Sequence, residues 1–275
     1  MKCKIAVVQF RVRQYAPRDN LRRVEQFVKK AAILKANIIV FPEDLLTGPI
    51  DKRQGLADTN KTYRRRFQEL ARRYSIDIVP GSIIEKEGGW LYNTAYYIDS
   101  KGLIKARYRK TCLWHPERRY IKPGNEVSVF YTKYGRIGLV ICWDLVFEEL
   151  FRKMLKQHVK LVICPSYWCY GDAGKGARYN KNSEVDFVNS LCVSRAFENE
   201  IVLVYCNAAG KLVIGNHRDR LIGRSQITAP FYGAIKRLNH SKEAMFLQEI
   251  DVDPVLRDAE QVYKIRKDLK CVMKI

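Results

Sequence analysis

Short apolar runs alternate with stretches of helical spacing along this chain, and this alternation restricts its fold more than any other feature of the sequence. Apolar runs at residues 5–10 and 38–41 have the length of buried strands. Apolar residues recur three and four positions apart in the segments that follow, residues 20–34 and 61–73, which predicts amphipathic helices. Further strands are predicted at residues 77–84, 92–98, 104–108, 135–141, 161–165, 201–207, 223–227, 234–236 and 245–250, and a long helix at residues 185–198. Because some strands follow one another directly and others are separated by helices, the pattern predicts a mixed α/β fold, a sheet-rich sandwich with helices outside.

The length and composition predict one globular domain over residues 1–275. The chain has 275 residues, 47% of them hydrophobic, without an internal repeat, a low-complexity tract or a linker. No apolar run is long enough to span a bilayer, and the N-terminus enters a strand without the apolar core of a secretory signal. The chain contains eight cysteines. Because it shows no secretory signal, we expect these cysteines to be reduced thiols rather than a disulfide framework, and the protein to be cytoplasmic.

Cys142 stands between the predicted strand at residues 135–141 and a segment of helical spacing at residues 143–151. A thiol at such a turn lies at a helix N-terminus, where free backbone N–H groups favour the thiolate and can receive an oxyanion. Most free cysteines are instead small buried hydrophobic residues, and for Cys142 alone that interpretation is the more common one. The choice therefore depends on which residues accompany Cys142.

Glutamate and lysine stand at the ends of two other predicted strands. Glu43 follows the run at residues 38–41, and Lys110 follows the strand at residues 104–108, with Glu117 one short segment later. Ligands gather at the carboxyl ends of strands in α/β sheets, so these positions favour a site shared with Cys142. Taken singly, surface ion pairs and a strand-end cap are the more common explanations of such residues.

These residues lie in motifs that resemble those of the nitrilase superfamily of carbon–nitrogen hydrolases. The three signatures are Phe41-Pro42-Glu43, Tyr108-Arg109-Lys110 and Ile141-Cys142-Trp143-Asp144. Further matches, in the same order, are Glu117 before Pro123-Gly124, Arg195-Ala196-Phe197-Glu198-Asn199, Gly223-Arg224-Ser225 with Pro230, and Gln248-Glu249-Ile250-Asp251. The resemblance implies a four-layer α-β-β-α sandwich, a homodimer or larger homo-oligomer, and a C-terminal arm at residues 255–275 that packs on a partner subunit. It also implies a Glu-Lys-Cys triad of Glu43, Lys110 and Cys142, with Glu117 as a second glutamate.

The expected reaction is hydrolysis of a non-peptide carbon–nitrogen bond through a cysteine thioester. If Glu43 lies within hydrogen-bond reach of Cys142, it can take the thiol proton during attack and later deliver it to the leaving amine. Lys110 and the backbone N–H of Trp143 would stabilise the negative charge that develops in the transition state. Glu117 would pair with Lys110 or help to orient the substrate.

Residues beside these motifs are expected to shape the substrate cavity. The expected wall residues are Tyr108 and Trp143, next to the signature residues, and Ser166, Trp168 and Tyr170, after the strand at residues 161–165. An ordinary loop with exposed aromatic residues is nearly as common an outcome for that last segment. Asp144 and Arg195 are expected to be structural, and His115 is a minor rival to Glu43 as the base.

The substrate is less constrained than the reaction. Relatives that act on carboxylate-bearing substrates commonly carry an arginine four residues after the cysteine, where this chain has Val146, although Arg178 or Lys175 could substitute. We therefore prefer a small or aromatic-flanked amide, with an N-carbamoyl compound second and a nitrile third. No cofactor is expected, and no metal, because the chain has no Cys-x-x-Cys pair and no histidine close in sequence to Cys164 or Cys169.

The net charge of +21 permits an interpretation of a different class. Such a field attracts polyanions and could bind nucleic acid nonspecifically. The alternative is therefore a catalytically weak protein of the same fold that binds polyanions or a protein partner. No nucleic-acid-reading motif accompanies the charge, so a basic solvated surface, with no specific nucleic acid and no membrane as partner, is preferred.

Overall fold

The computed structural model describes residues 2–51 and 53–272. The strands are β1 (Lys2–Gln9), β2 (Ile38–Val40), β3 (Asp77–Val79), β4 (Ser82–Glu87), β5 (Trp90–Ile98), β6 (Ile104–Arg109), β7 (Ser128–Thr132), β8 (Gly135–Leu139), β9 (Leu161–Ser166), β10 (Val202–Asn207), β11 (Lys211–Ile214), β12 (His217–Arg220), β13 (Gln226–Ala229), β14 (Gly233–Arg237) and β15 (Ala244–Asp251). The helices are α1 (Pro17–Ile33), α2 (Thr62–Tyr74), α3 (Glu148–Lys156), α4 (Ser183–Glu198), α5 (Val252–Tyr263) and α6 (Ile265–Val272). Within these ranges, no helix combines the length and the apolar character that a membrane span requires.

Most strands lie in two sheets that have parallel centres and antiparallel edges. The first sheet has the order β15-β1-β2-β3-β5-β4, with β6 also paired to β5, and the second has the order β14-β13-β10-β9-β8-β7. Strands β1, β2 and β3 are mutually parallel, as are β8, β9 and β10. Strands β11 and β12 pair with each other as a separate hairpin. The parallel centres bring the carboxyl ends of several strands to one edge of each sheet.

The two sheets pack face to face, and helices cover their outer faces. Val7 of β1 shares a buried cluster with Ile163 of β9, while its neighbour Ala6 packs with Val24 and Phe67 of α1 and α2. This alternation follows the two-residue period of a strand. On the second sheet, α3 approaches β8 so closely that a Cβ on Gly138 would lie 2.6 Å from the sulfur of Met154. The predicted four-layer α-β-β-α sandwich is confirmed.

The strand predicted at residues 77–84 is divided into β3 and β4. Pro80 and Gly81 separate the two strands, and Gly81 has a φ of +66°. A Cβ at Gly81 would lie 1.7 Å from the carbonyl oxygen of Pro42, so only glycine fits there. The turn thus packs directly against the loop that carries Glu43.

The helix predicted at residues 143–151 is interrupted. A 3-10 helix spans Cys142–Val146, and α3 begins only at Glu148. Arg195 Nε donates to the carbonyl of Leu145 at 3.0 Å, and Arg195 Nη2 donates to that of Val146 at 2.7 Å. These carbonyls are therefore satisfied by a side chain from α4, and Arg195 has the structural role that was expected. Strand β7 and the β11–β12 hairpin were not predicted.

The C-terminal segment is helical, and its first helix packs against the rest of the same chain. Helix α5 buries Val252, Leu256 and Ala259, and the N–H of Ile265 donates to Glu200 Oε1 at 3.2 Å. The first part of the expected arm at residues 255–275 therefore packs on the same chain. Residues 273–275 lie outside the described residues, and contact with a partner subunit stays a prediction.

Candidate active site

Cys142 lies on a sharp turn after β8. Its φ of 48° is in the left-handed region, which non-glycine residues adopt rarely and which is concentrated at functional sites. The N–H of Trp143 belongs to the first turn of the 3-10 helix, where backbone donors have no acceptor within the helix. The turn thus presents a thiol beside an N–H group that has no acceptor among the described residues.

Asp144 fixes this turn to the segment that follows β6. One carboxylate oxygen accepts the N–H of Cys112 at 2.7 Å. The other accepts the N–H of Ile141 at 2.9 Å and the hydroxyl of Tyr108 at 2.8 Å. Burial raises the pKa of Asp144 to about 6. These contacts are those of a structural residue, and they hold the Cys142 turn in register with the strand that leads to Lys110.

Lys110 lies between two carboxylates. Its Nζ donates to Glu43 Oε1 at 2.8 Å and to Glu117 Oε2 at 2.6 Å, while the lysine side chain is only 1% exposed. Asn93 Nδ2, from the middle of β5, donates to the same two carboxylates at 2.8 and 3.1 Å. The structure therefore brings Glu43, Lys110 and Glu117 together in one buried network.

The Cys142 thiol is part of that network. Its interaction with Glu43 helps to lower the pKa of that carboxyl. Burial has the larger influence and raises the pKa of Glu43 above its ordinary value, although Lys110 opposes the rise. Nucleophile, carboxylate and ammonium are thus in contact, as the motifs led us to expect.

Burial has the largest influence on the ionisable groups of this cluster. Burial and the neighbouring Glu43 raise the pKa of Cys142 well above its ordinary value, and they outweigh Lys110 and the backbone of Tyr167, which lower it. Burial opposes the charged form of Lys110, but Glu117 and Glu43 raise its pKa well above the ordinary value. These influences favour the thiol form of Cys142 and the ammonium form of Lys110.

A cavity of about 400 Å³ opens onto this cluster. Glu43, Lys110, Glu117 and Cys142 all line it. Its aromatic walls are formed by Trp114, Tyr120, Trp143, Tyr167 and Trp168, and the β11–β12 hairpin contributes Leu212, Ile214, His217 and Asp219. Two of the expected wall residues, Trp143 and Trp168, line this cavity, and their contact with the substrate stays a prediction.

The other three expected wall residues lie outside the lining of this cavity. Tyr108 is buried and bonded to Asp144, and Ser166 is fully buried at the end of β9, where its carbonyl accepts the N–H of Glu43 at 3.3 Å. Tyr170 lies under the guanidinium of Arg220, whose carbon is 4.3 Å from the ring centre. These contacts correct the expectation that Tyr108, Ser166 and Tyr170 meet the substrate.

The alternative base, His115, and the two alternative cations, Arg178 and Lys175, also lie outside the lining of the cavity. His115 is exposed and stacks on Trp114 with 4.7 Å between ring centres. Arg178 donates to the hydroxyl of Tyr179 at 2.6 Å. Neither His115, Arg178 nor Lys175 lines the cavity. This leaves Glu43 as the base candidate beside Cys142.

Sequence analysis missed several residues of the site. Asn93 could have been noticed as an amide within an otherwise apolar and aromatic strand, and Tyr167 as the residue directly after β9. Asp172 and Asp219 also line the cavity, from the loop after β9 and from β12. Sequence analysis could not single out these two carboxylates, because they lie far from each other and from the catalytic motifs in the sequence, and no local pattern sets them apart.

Comparison with known proteins agrees with this geometry. The family model for carbon–nitrogen hydrolases matches residues 4–257. The chain belongs to the carbon–nitrogen hydrolase family. This confirms the resemblance of its motifs to those of the nitrilase superfamily. The protein is an enzyme of the class that hydrolyses carbon–nitrogen bonds.

Relatives of this carbon–nitrogen hydrolase cover nearly its whole length. A probable nitrilase of Schizosaccharomyces pombe is 28% identical over 265 residues, which are 92% of this chain and 90% of the relative. The 2-oxoglutaramate amidase of Bacillus subtilis is 27% identical over 276 residues, 98% of this chain and 100% of the relative. A crystal structure of a carbon–nitrogen hydrolase from Helicobacter pylori shares the fold with a TM-score of 0.88 at 19% identity, covering 97% of this chain and 94% of that one.

Proposed function

We propose that this carbon–nitrogen hydrolase cleaves a small non-peptide amide through a thioester on Cys142. The observation that carries the proposal is that the Cys142 thiol, Glu43 and Lys110 line one cavity, where Lys110 Nζ lies 2.8 Å from Glu43 Oε1. A nucleophile, a base and a fixed cation are the groups that acyl transfer needs.

Acylation begins with coupled proton transfer and attack. Because the thiol of Cys142 is neutral, Glu43 takes its proton as the sulfur bonds to the amide carbon. The carbonyl oxygen becomes an oxyanion beside Lys110 and the N–H of Trp143, and one such donor contributes about 2.7–4 kcal/mol to the transition state. When the carbonyl re-forms, the carbon–nitrogen bond breaks and Glu43 gives its proton to the departing ammonia or amine.

Deacylation uses the same carboxylate, which now takes a proton from water and gives it to the sulfur. Glu43 takes a proton from water as the water oxygen attacks the thioester carbon. The carbon–sulfur bond then breaks, and Glu43 returns the proton to the sulfur of Cys142. One water is consumed and one acid is released. Burial raises the pKa of Glu43, which suits a group that must both accept and donate a proton.

Glu117 and Asn93 are positioning residues in this scheme. Glu117 accepts Lys110 Nζ and the N–H of Trp114, at 2.6 and 2.7 Å, and Asn93 joins the two carboxylates. These contacts keep the ammonium of Lys110 facing the cavity. They also supply the partners without which buried charges are strongly destabilising.

A matched panel of compounds tests the reaction and its substrate class. For the same side chain presented as an amide, an N-carbamoyl compound and a nitrile, we expect kcat/KM for ammonia release to be highest for the amide. The Bacillus subtilis relative is named for an amide, which supports this order. Faster turnover of the matched nitrile would contradict the substrate class, and release of ammonia from none of the compounds would contradict the function.

The alternative of a polyanion-binding protein is disfavoured by the buried cluster. Buried ion pairs add little stability, because desolvation offsets their attraction. A protein that only bound polyanions would gain nothing from keeping Glu43, Lys110 and Glu117 in the core. Polyanion affinity that falls steeply with salt, without any ammonia release, would favour the alternative. Assembly as a homodimer or larger homo-oligomer also remains a proposal.

A further inference from the structure

The cavity carries a negative charge excess in a strongly basic protein. The chain has a net charge of +21, yet the lining includes six carboxylates, Glu43, Asp44, Asp51, Glu117, Asp172 and Asp219. Lys110 neutralises only part of the charge on Glu43 and Glu117. Arg119, the other lysine or arginine in the lining, is exposed at the surface. The remaining carboxylates therefore set the sign of the potential that a substrate meets.

Asp172 and Asp219 accept hydrogen bonds from backbone N–H groups. Asp172 accepts the N–H of Cys169 at 2.7 Å, and Asp219 accepts the N–H of Gly171 at 3.1 Å. Within residues 2–51 and 53–272, no salt bridge involves either aspartate. The nearby guanidinium of Arg220 lies over the ring of Tyr170 instead. Both carboxylates are thus held by backbone groups, with their charge left uncompensated.

The pKa of Asp172 reflects the neighbouring negative charges. Burial raises the pKa of Asp172 to about 7 against the N–H of Cys169, and the carboxylates of Asp219, Glu184 and Glu43 add to the rise. A positive group brought into the cavity would relieve the repulsion between these carboxylates.

A second feature of the lining points independently to a polar ligand. Asp44 is only 5% exposed and lines the cavity, and its Oδ1 has no hydrogen-bond partner among the described residues. Buried polar atoms are almost always partnered, so an orphan of this kind calls for an explanation. A ligand with hydrogen-bonding groups would complete Asp44.

The walls between the sulfur and the aspartates are aromatic. The rings of Trp114 and Trp168 lie 4.5 and 5.6 Å from that of Trp143, the residue next to the nucleophile. Indole faces attract cations. The backbone of Tyr167 contributes to the pKa of Cys142, and the N–H that binds Asp172 belongs to Cys169, two residues further on. Cys142 and Asp172 therefore both lie beside the same short stretch of backbone at the cavity wall.

We propose that the cavity selects amides that carry an ammonium or guanidinium group, which Asp172 and Asp219 bind while the amide carbon lies at Cys142. This inference rests on the proposed amidase function and adds the charge of its substrate. It separates this chain from an amidase for carboxylate-bearing substrates. Val146 occupies the position where an arginine would receive such a carboxylate, and the aspartates would repel it.

A charge series on one five-carbon chain tests the inference. The three probes are 5-aminopentanamide, pentanamide and glutaramate, which end in an ammonium, a methyl and a carboxylate. We expect kcat/KM to fall from the first to the third, with about tenfold or more between the cationic and the neutral amide, as for hydrogen bonds to charged groups. Equal or faster turnover of pentanamide or glutaramate would overturn the inference and leave the amidase function intact.

Asparagine variants locate the effect. Asp172→Asn and Asp219→Asn remove the charge but keep an oxygen for the backbone N–H groups, so the fold should persist. Each should lower kcat/KM about tenfold for 5-aminopentanamide and less than about threefold for pentanamide. Asp258→Asn, on α5 and outside the cavity lining, controls for the change in overall charge. Equal losses on both amides would overturn the assignment, whereas hydrolysis of none of the probes by the wild-type protein would instead count against the amidase function.

Discussion

Cys142→Ala should abolish ammonia release from every amide that the wild-type protein hydrolyses. The expected loss in kcat is on the order of 10⁴–10⁶-fold, because no other group in the network can form the covalent intermediate. Cys142 has a small side chain at a turn, so alanine should leave the fold intact. Ammonia release and circular dichroism would be measured on the same preparations.

Cys169→Ala is the matched control for this experiment. Cys169 lines the same cavity and is also buried, and burial likewise raises the pKa of its thiol well above the ordinary value. Among the described residues, no carboxylate accepts a hydrogen bond from its thiol. The control variant should keep kcat within about threefold of the wild type. Turnover retained in Cys142→Ala would end the assignment of the nucleophile.

Lys110→Met should reduce both activity and stability. The cation that faces the developing oxyanion disappears, and a loss of one such group lowers kcat by roughly 10²–10³-fold. The buried carboxylate of Glu43 and the partly buried carboxylate of Glu117 also lose their counterion. Breaking a buried pair on one side costs about 3–5 kcal/mol of the free energy of unfolding. Urea unfolding and amide kinetics would be measured together.

The double variant Lys110→Met/Glu117→Gln separates the two effects. Removing the charge of Glu117 leaves one unpaired carboxylate instead of two, so the double variant should regain part of the lost stability. Its kcat should remain low, because the oxyanion still lacks the ammonium. Recovery of kcat along with stability would mean that Lys110 has only a structural role. Near-wild-type kcat in Lys110→Met itself would contradict the mechanism directly.

The catalytic candidates could be predicted because each stands just after a strand. Glu43 follows β2, Lys110 follows β6 and Cys142 lies just beyond β8, and a strand was predicted in front of each motif. Local sequence therefore carried enough information to place them at strand ends. Their mutual contact depends on how the two sheets stack, and for this the family resemblance was needed.

The wall residues were harder to predict because a strand end must be placed to within one residue. Successive side chains of a strand point to opposite sides. Ser166 is the last residue of β9 and is fully buried, whereas the next residue, Tyr167, lines the cavity. Asp219 lies on the β11–β12 hairpin. The pattern of hydrophobic residues does not indicate where this hairpin packs, so the approach of Asp219 to the cavity could not be predicted. The protonation of Cys142 was also beyond the sequence, since it follows from burial.

The most direct test of the account is to locate the acyl group on the protein. Wild-type protein mixed with a hydrolysed amide would be quenched in acid during turnover, and its mass and peptides analysed. The account predicts a mass increase equal to the amide minus ammonia, carried by the peptide that contains Cys142 and absent from Cys142→Ala. The same acyl group on Cys169 or on Cys112, with Cys142 unmodified, would contradict it.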